Sequence, residues 1–181
     1  MLARRFFLVA LALVLSGRVP ARAAPDGPDV HLPLRLQQGV WDAEAVFFED
    51  GKETGRARGV QTNTLLHNGH WITNDLRLAA TETFPAYQGH GVWGFDPVAR
   101  TYVNTWVDTN DRAVRTDYWF WYEKEQTMAW STKQSDGEGH FIDYRMTEEF
   151  RGDTRVFTVY QLALVRPTPY LLVRITFVKR P

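Results

Sequence analysis

The chain has 181 residues, 21 basic and 21 acidic side chains, and no cysteine. This length fits one domain with a sizeable core, and the absence of cysteine excludes disulfides and thiolate metal sites. Without its first 23 residues the chain keeps 17 basic against 21 acidic side chains, a balance that argues against nucleic acid or anionic lipid as a partner.

The first 23 residues have the pattern of an export signal. Arg4 and Arg5 precede an apolar run, Phe6–Leu15, and small residues follow up to Ala23, where a signal peptidase would cleave. The apolar run is about half the length that a transmembrane helix needs, so we expect no stable membrane anchor. Residues 4–8 also resemble the twin-arginine signal, which leaves two export routes open. We expect a periplasmic or secreted protein.

Two further segments follow the signal. Residues 24–38 contain three prolines and are predicted to form a flexible or loosely docked arm. Residues 39–181 consist of short alternating runs separated by turn residues, and Asn68-Gly69 is the strongest hairpin signal among them. The predicted strands are residues 41–47, 54–66, 71–79, 82–94, 101–108, 114–122, 127–133, 141–150, 155–164 and 170–178.

This spacing predicts an all-β fold, a single antiparallel up-and-down barrel of about ten strands. The short connections are typical of such a barrel or of a sandwich. No stretch of helical period is long enough for a crossover, which argues against a parallel sheet. Gly89 and Gly91 lie on one face of a predicted strand and would allow the bend that a barrel corner requires. Closure would also remove exposed sheet edges.

Several motifs resemble the bacterial domain-of-unknown-function family numbered 1579. The resemblance covers most of residues 39–162, and the family is similar to lipocalin-like (calycin) barrels, which open with a Gly-x-Trp strand and carry a cavity. It therefore implies a hollow barrel but no reaction. The motifs are Gly39-Val40-Trp41, the glycines Gly55 and Gly59, and residues 66–71, 87–96 and 102–108.

Alternate residues on several predicted strands form aromatic faces with a few polar side chains, the composition of a small-molecule pocket. Together with the cavity that the resemblance implies, these faces predict a ligand site. The alternative is that aromatic side chains fill the barrel. The sequence leaves open which face points inward, because Tyr118, Phe120 and Tyr122 make the opposite face of their strand aromatic too. The predicted ligand-binding residues are Trp41, Tyr87, Trp93, Asn104, Trp106, Asp108, Arg115, Trp119, His140 and Tyr144.

The histidines suggest no metal site. His67 and His70 flank a hairpin tip without a third clustered ligand. His90 or His140 would suit a general base, because the pKa of imidazole is near neutral pH. The chain contains no nucleophile elbow, phosphate loop or dinucleotide fingerprint.

The sequence identifies no cofactor. Nitrobindin-type relatives of the lipocalin-like barrel bind haem through one histidine and open with Gly-x-Trp-x-Gly-x-Gly. Residues 39–45 keep Gly39 and Trp41 but lack both later glycines, so haem is not predicted.

Three functions remain open. We prefer an exported binding protein that holds a small apolar or aromatic molecule in a Trp/Tyr-lined cavity. The second hypothesis is a barrel enzyme, an isomerase, lyase or hydrolase that uses His or carboxylate acid–base chemistry. The third is a structural or interaction module. The sequence does not predict the oligomeric state.

Overall fold

Ten antiparallel strands close into one barrel, which confirms the predicted fold. The structure is a computed structural model that describes residues 29–110, 113–135, 141–162 and 169–181. The predicted export signal, residues 1–23, lies outside the described residues. Neighbours around the barrel are neighbours in sequence, and β1 pairs with both β2 and β10. The strands are β1 (Gly39–Glu49), β2 (Lys52–Leu66), β3 (Trp71–Leu78), β4 (Tyr87–Asp96), β5 (Thr101–Asp108), β6 (Arg115–Tyr122), β7 (Thr127–Ser135), β8 (Phe141–Arg151), β9 (Thr154–Leu162) and β10 (Tyr170–Lys179).

Local turn chemistry sets most strand ends. Asn68 and Gly69 adopt positive φ values of 60° and 87° and make the tight turn between β2 and β3 that their dipeptide predicts. The start of β4 is later than predicted, at Tyr87 instead of residue 82. The intervening chain turns back because the Thr81 side-chain oxygen accepts a hydrogen bond from the backbone N–H of Phe84 at 3.0 Å.

A short helix, α1 (Leu32–Gln37), packs against one end of the barrel. Its Leu34 is fully buried in a core cluster with side chains from β3, β4, β6, β7 and β8. The Gln37 carbonyl accepts hydrogen bonds from Trp41 Nε1 at 2.9 Å and Asn63 Nδ2 at 2.8 Å. This part of the predicted arm is therefore folded and docked, and it closes the end of the barrel where β1 begins.

Burial settles which face of β6 points inward. Asp117 and Trp119 are buried, whereas Tyr118, Phe120 and Tyr122 are half or more exposed. The neighbouring strands place their side chains in matching layers, because Tyr102, Asn104 and Trp106 on β5 pair with Trp119, Asp117 and Arg115 on β6. The layers run from an aromatic floor near α1, through a polar middle, to the opposite end of the barrel.

Candidate functional site

A cavity of about 570 Å³ occupies the interior between the aromatic floor and the end of the barrel opposite α1. Side chains of all ten strands line it, and most of them are apolar or aromatic. Near the far end, Phe84 from the β3–β4 loop stacks on Phe47 of β1 with ring centroids 4.1 Å apart. The interior is therefore hollow, and the aromatic side chains do not fill the barrel.

Two glycines give one wall of the cavity its shape. Gly89 and Gly91 face inward on β4, and the Trp106 indole lies across them. A Cβ atom added at Gly89 would lie 2.2 Å from Trp106 Cζ2, and one at Gly91 would lie 2.5 Å from Trp106 Cε3. The two glycines therefore allow the indole to approach the backbone closely. The sequence pattern predicts a strand bend at these glycines but does not predict this contact.

Hydrogen bonds hold Trp106 in this position. Its Nε1 donates to Asp108 Oδ2 at 3.0 Å and lies 3.2 Å from the Tyr87 hydroxyl. The hydroxyl donates to Asp108 Oδ2 at 3.3 Å, and Arg115 pairs with the same oxygen at 3.4 Å. Burial raises the pKa of Tyr87, and the nearby Asp108 charge adds to the rise. Asp108 and Arg115 therefore form an ion pair in which the Asp108 side chain is buried.

The middle layer of the cavity is polar. Asn104 and Asp117 are cross-strand neighbours on β5 and β6, and both line the cavity. Asn104 and Asp117 are 2% and 6% exposed. Within the described residues, no hydrogen-bond or ion-pair partner contacts either side chain. Buried polar groups in proteins are nearly always paired, so two neighbouring side chains without any partner are unusual.

Below it, indole rings form the floor. The Trp93 ring lies 5.3 Å from that of Trp130 and 5.9 Å from that of Trp119. Trp119 stacks on Tyr102 at 4.0 Å and is fully buried. It supports the floor from beneath and does not line the cavity.

A buried ion pair crosses the interior beside this floor. Arg155 contacts the Glu148 carboxylate and donates to Gln61 Oε1 at 2.6 Å. Its guanidinium lies between two rings, 4.2 Å from the Trp41 centroid and 4.5 Å from that of Phe177. Burial raises the pKa of Glu148, and the Arg155 charge opposes that rise. Trp41 is thus a core residue beneath Arg155 and lies outside the cavity lining.

The structure brings seven of the ten predicted site residues to the cavity wall. Trp41 and Trp119 pack in the core behind the wall, and His140 lies outside the described residues. The seven are Tyr87, Trp93, Asn104, Trp106, Asp108, Arg115 and Tyr144.

The sequence prediction missed three charged interior residues. Asp117 lies on the same face of β6 as Trp119 and Trp121. Glu148 lies on the same face of β8 as two buried apolar residues. A carboxylate next to buried apolar or aromatic residues on the same strand face is the signal that could have identified both. Arg155 is the second residue of β9 and had no such signal, because its burial depends on Trp41 from the other end of the chain.

The described residues show no histidine inside the cavity and no metal cluster. His90 lies on the outer face of β4, half exposed, with its Nδ1 2.7 Å from Asp75 Oδ1. Across the four described ranges, no group of three or more acidic or histidine side chains converges in a way that would hold a metal ion. Within the same ranges, no helix is long and apolar enough to span a bilayer.

Comparisons with known proteins support the fold. The sequence model of one family, described as "Protein of unknown function (DUF1579)", matches residues 28–166. A similar solved structure is that of Rv2717c from M. tuberculosis, with a TM-score of 0.52 and 10% sequence identity over 83% of this chain and 94% of that one. At this identity the likeness concerns the fold alone. No curated protein matches the sequence.

Proposed function

This chain belongs to the DUF1579 family of proteins of unknown function, and from its interior we propose that it is an exported binding protein for a small apolar or aromatic molecule. The observation that carries the proposal is the hollow, aromatic-lined centre of the barrel. Its volume of about 570 Å³ falls in the range of small-molecule sites, roughly 300–1,000 Å³. The export part of the proposal rests on the leader pattern of residues 1–23.

The cavity wall suits a flat aromatic ring. Trp93 and Trp130 present indoles from the floor, and Trp106 presents one from the side. A bicyclic ring buries on the order of 150–250 Å², which at about 25 cal/mol per Å² stabilises the complex by roughly 4–6 kcal/mol. Part of this gain offsets the freedom of movement that the molecule loses on binding, so apolar contact alone gives a Kd no tighter than about 0.05 mM.

A titration with a neutral aromatic dye tests binding. N-phenyl-1-naphthylamine, excited directly, should brighten and shift to the blue when it enters the barrel, and its binding should raise the melting temperature. The matched variants are Thr132→Trp, which places a bulky ring in the cavity, and Thr116→Trp, which places the same ring on the exposed face of β6.

We expect Thr132→Trp to abolish dye binding and Thr116→Trp to leave it unchanged. Equal dye binding by both variants would place the dye on the outer surface and contradict the proposal. A native protein that neither brightens the dye nor gains thermal stability would contradict it as well.

An acid–base enzyme is the second candidate, and one observation favours it. Among the described residues, three carboxylates with buried side chains line the cavity, Asp108, Asp117 and Glu148, the feature that this hypothesis predicts. Arg115 pairs with Asp108 and Arg155 pairs with Glu148, which leaves Asp117 as the group available to exchange a proton with a bound molecule. Turnover of a ligand by the native protein, lost in Asp117→Asn with the ligand affinity retained, would distinguish an enzyme from a binding protein.

A further inference from the structure

One carboxylate in the cavity has no partner among the residues that the structure describes. Asp108 is contacted by Trp106, Tyr87 and Arg115, and Glu148 by Arg155. Asp117 is 6% exposed and lines the cavity, yet no described side chain reaches it with a hydrogen bond or an opposite charge. A buried carboxylate is costly unless something pairs with it. Its place in the wall leaves the cavity interior as the side from which a partner can approach.

The surrounding charges give the cavity a negative balance. Arg115 lies two residues before Asp117 on the same face of β6, but its guanidinium pairs with Asp108. The Arg155 guanidinium likewise serves Glu148. Each of these two arginines is therefore neutralised by a carboxylate, and the Asp117 carboxylate is left without a positive charge to balance it. Electrostatic complementarity favours a cation in the space beside it.

The surroundings of Asp117 suit a cation as well. Its cross-strand partner on β5, Asn104, is 2% exposed, and the Asn104 Oδ1 atom has no hydrogen-bond partner in the described chain. On the floor side lie the indoles of Trp93 and Trp130, which both line the cavity. The faces of indole rings attract cations, and a carboxylate beside such rings is the combination that recognises ammonium groups.

We propose that the ligand carries a cationic group, such as a protonated amine, and that Asp117 is the residue that recognises it. This inference rests on the proposed binding function and specifies the class of ligand. The aromatic body of the molecule lies against the indoles, and its ammonium group donates hydrogen bonds to the Asp117 carboxylate. Asp117 is thus a specificity residue in a site that otherwise selects for shape and apolarity.

Three naphthyl probes that differ in charge test the inference by calorimetry at pH 7. They are 1-naphthylmethylamine, which is cationic, 1-naphthalenemethanol, which is neutral, and 1-naphthoate, which is anionic. We expect the amine to bind at least about tenfold more tightly than the alcohol, the gain typical of a charge-assisted hydrogen bond. The comparison needs only the native protein, so it holds even where a variant fails to fold.

Two variants locate the effect. Asp117→Asn should bring the amine affinity to within about twofold of the alcohol affinity, which itself stays unchanged. Asp153→Asn removes the same charge from an exposed turn and should preserve the preference for the amine. Ligand-free Asp117→Asn should also melt at a higher temperature than the native protein, because it lacks the unpaired buried charge. A lower melting temperature would indicate a structural role for Asp117 instead.

The outcomes separate this inference from the proposal beneath it. If the alcohol binds as tightly as the amine, the cavity binds aromatic molecules but Asp117 does not select a cation. If 1-naphthoate binds most tightly, the arginines are the recognising groups and the inference is wrong. If none of the three probes binds, the binding function itself fails.

Discussion

The contact between Gly89 and Trp106 gives the sharpest test of the cavity wall. Gly89 lies in β4 without a positive φ, so alanine fits its backbone and only the added methyl group matters. That methyl carbon would lie 2.2 Å from Trp106 Cζ2 and 2.9 Å from the Tyr87 hydroxyl. Ordinary contacts between carbon atoms are about 3.5–4.0 Å, so the indole must move by more than an ångström and leave its hydrogen bond to Asp108.

The cost follows from the size of that movement. Inserting a methyl group into a packed site destabilises a protein by about 1–3 kcal/mol. For a chain of this size the melting temperature of Gly89→Ala should fall by roughly 2–12 °C. Gln88→Ala, which changes the neighbouring exposed side chain on the same strand, should alter the stability by less than about 0.5 kcal/mol.

Urea unfolding of a double-mutant cycle measures the clash itself. Trp106→Leu removes the ring that Gly89→Ala would meet, so the double variant should be more stable, by at least about 1 kcal/mol, than the sum of the single effects predicts. Additive effects within about 0.5 kcal/mol would refute the reasoning, because they would mean that the indole does not lie against Gly89.

The remaining predictions concern the closed end and the buried ion pair. Leu34→Ala should reduce the free energy of unfolding by about 2–5 kcal/mol, and a loss under about 1 kcal/mol would show that α1 is not packed into the barrel. Burial, and then the charge of His70, lowers the pKa of His31 in the folded protein. The unfolded chain therefore binds a proton at His31 more readily than the folded protein does, and the free energy of unfolding should fall as the pH drops from about 7 to 5. Calorimetry should show a smaller fall in His31→Gln, and equal falls would contradict this. Glu148→Gln should cost about 3–5 kcal/mol in urea unfolding, because it leaves Arg155 buried without its counter-charge, and a cost below about 1 kcal/mol would mean that the pair is not coupled.

Period-two alternation made much of the fold and the cavity wall predictable. Residues two apart on a strand share a face, so Asn104, Trp106 and Asp108 had to lie together whichever way β5 faced. The Asn68-Gly69 turn fixed the β2–β3 hairpin in the same local way. These features depend on a few consecutive residues, and the sequence contains them directly.

The choice between the two faces of β6 depends on the closure of the whole barrel. Both faces are aromatic, and only the register with β5 and β7 places Trp119 inside and leaves Phe120 exposed. For the same reason the sequence could not distinguish Trp119, which packs in the core, from the residues that line the cavity. The helix α1 has only six residues, too few for intrinsic helix stability, so its formation depends on the burial of Leu34.

A crystal structure of the protein soaked with 1-bromonaphthalene tests the central claim most directly, because the bromine atom identifies its own position by anomalous scattering. We expect an anomalous peak inside the barrel, above the indoles of Trp93 and Trp130 and beside Trp106. An interior filled by side chains, or bromine peaks only on the outer surface near Phe120, would contradict it.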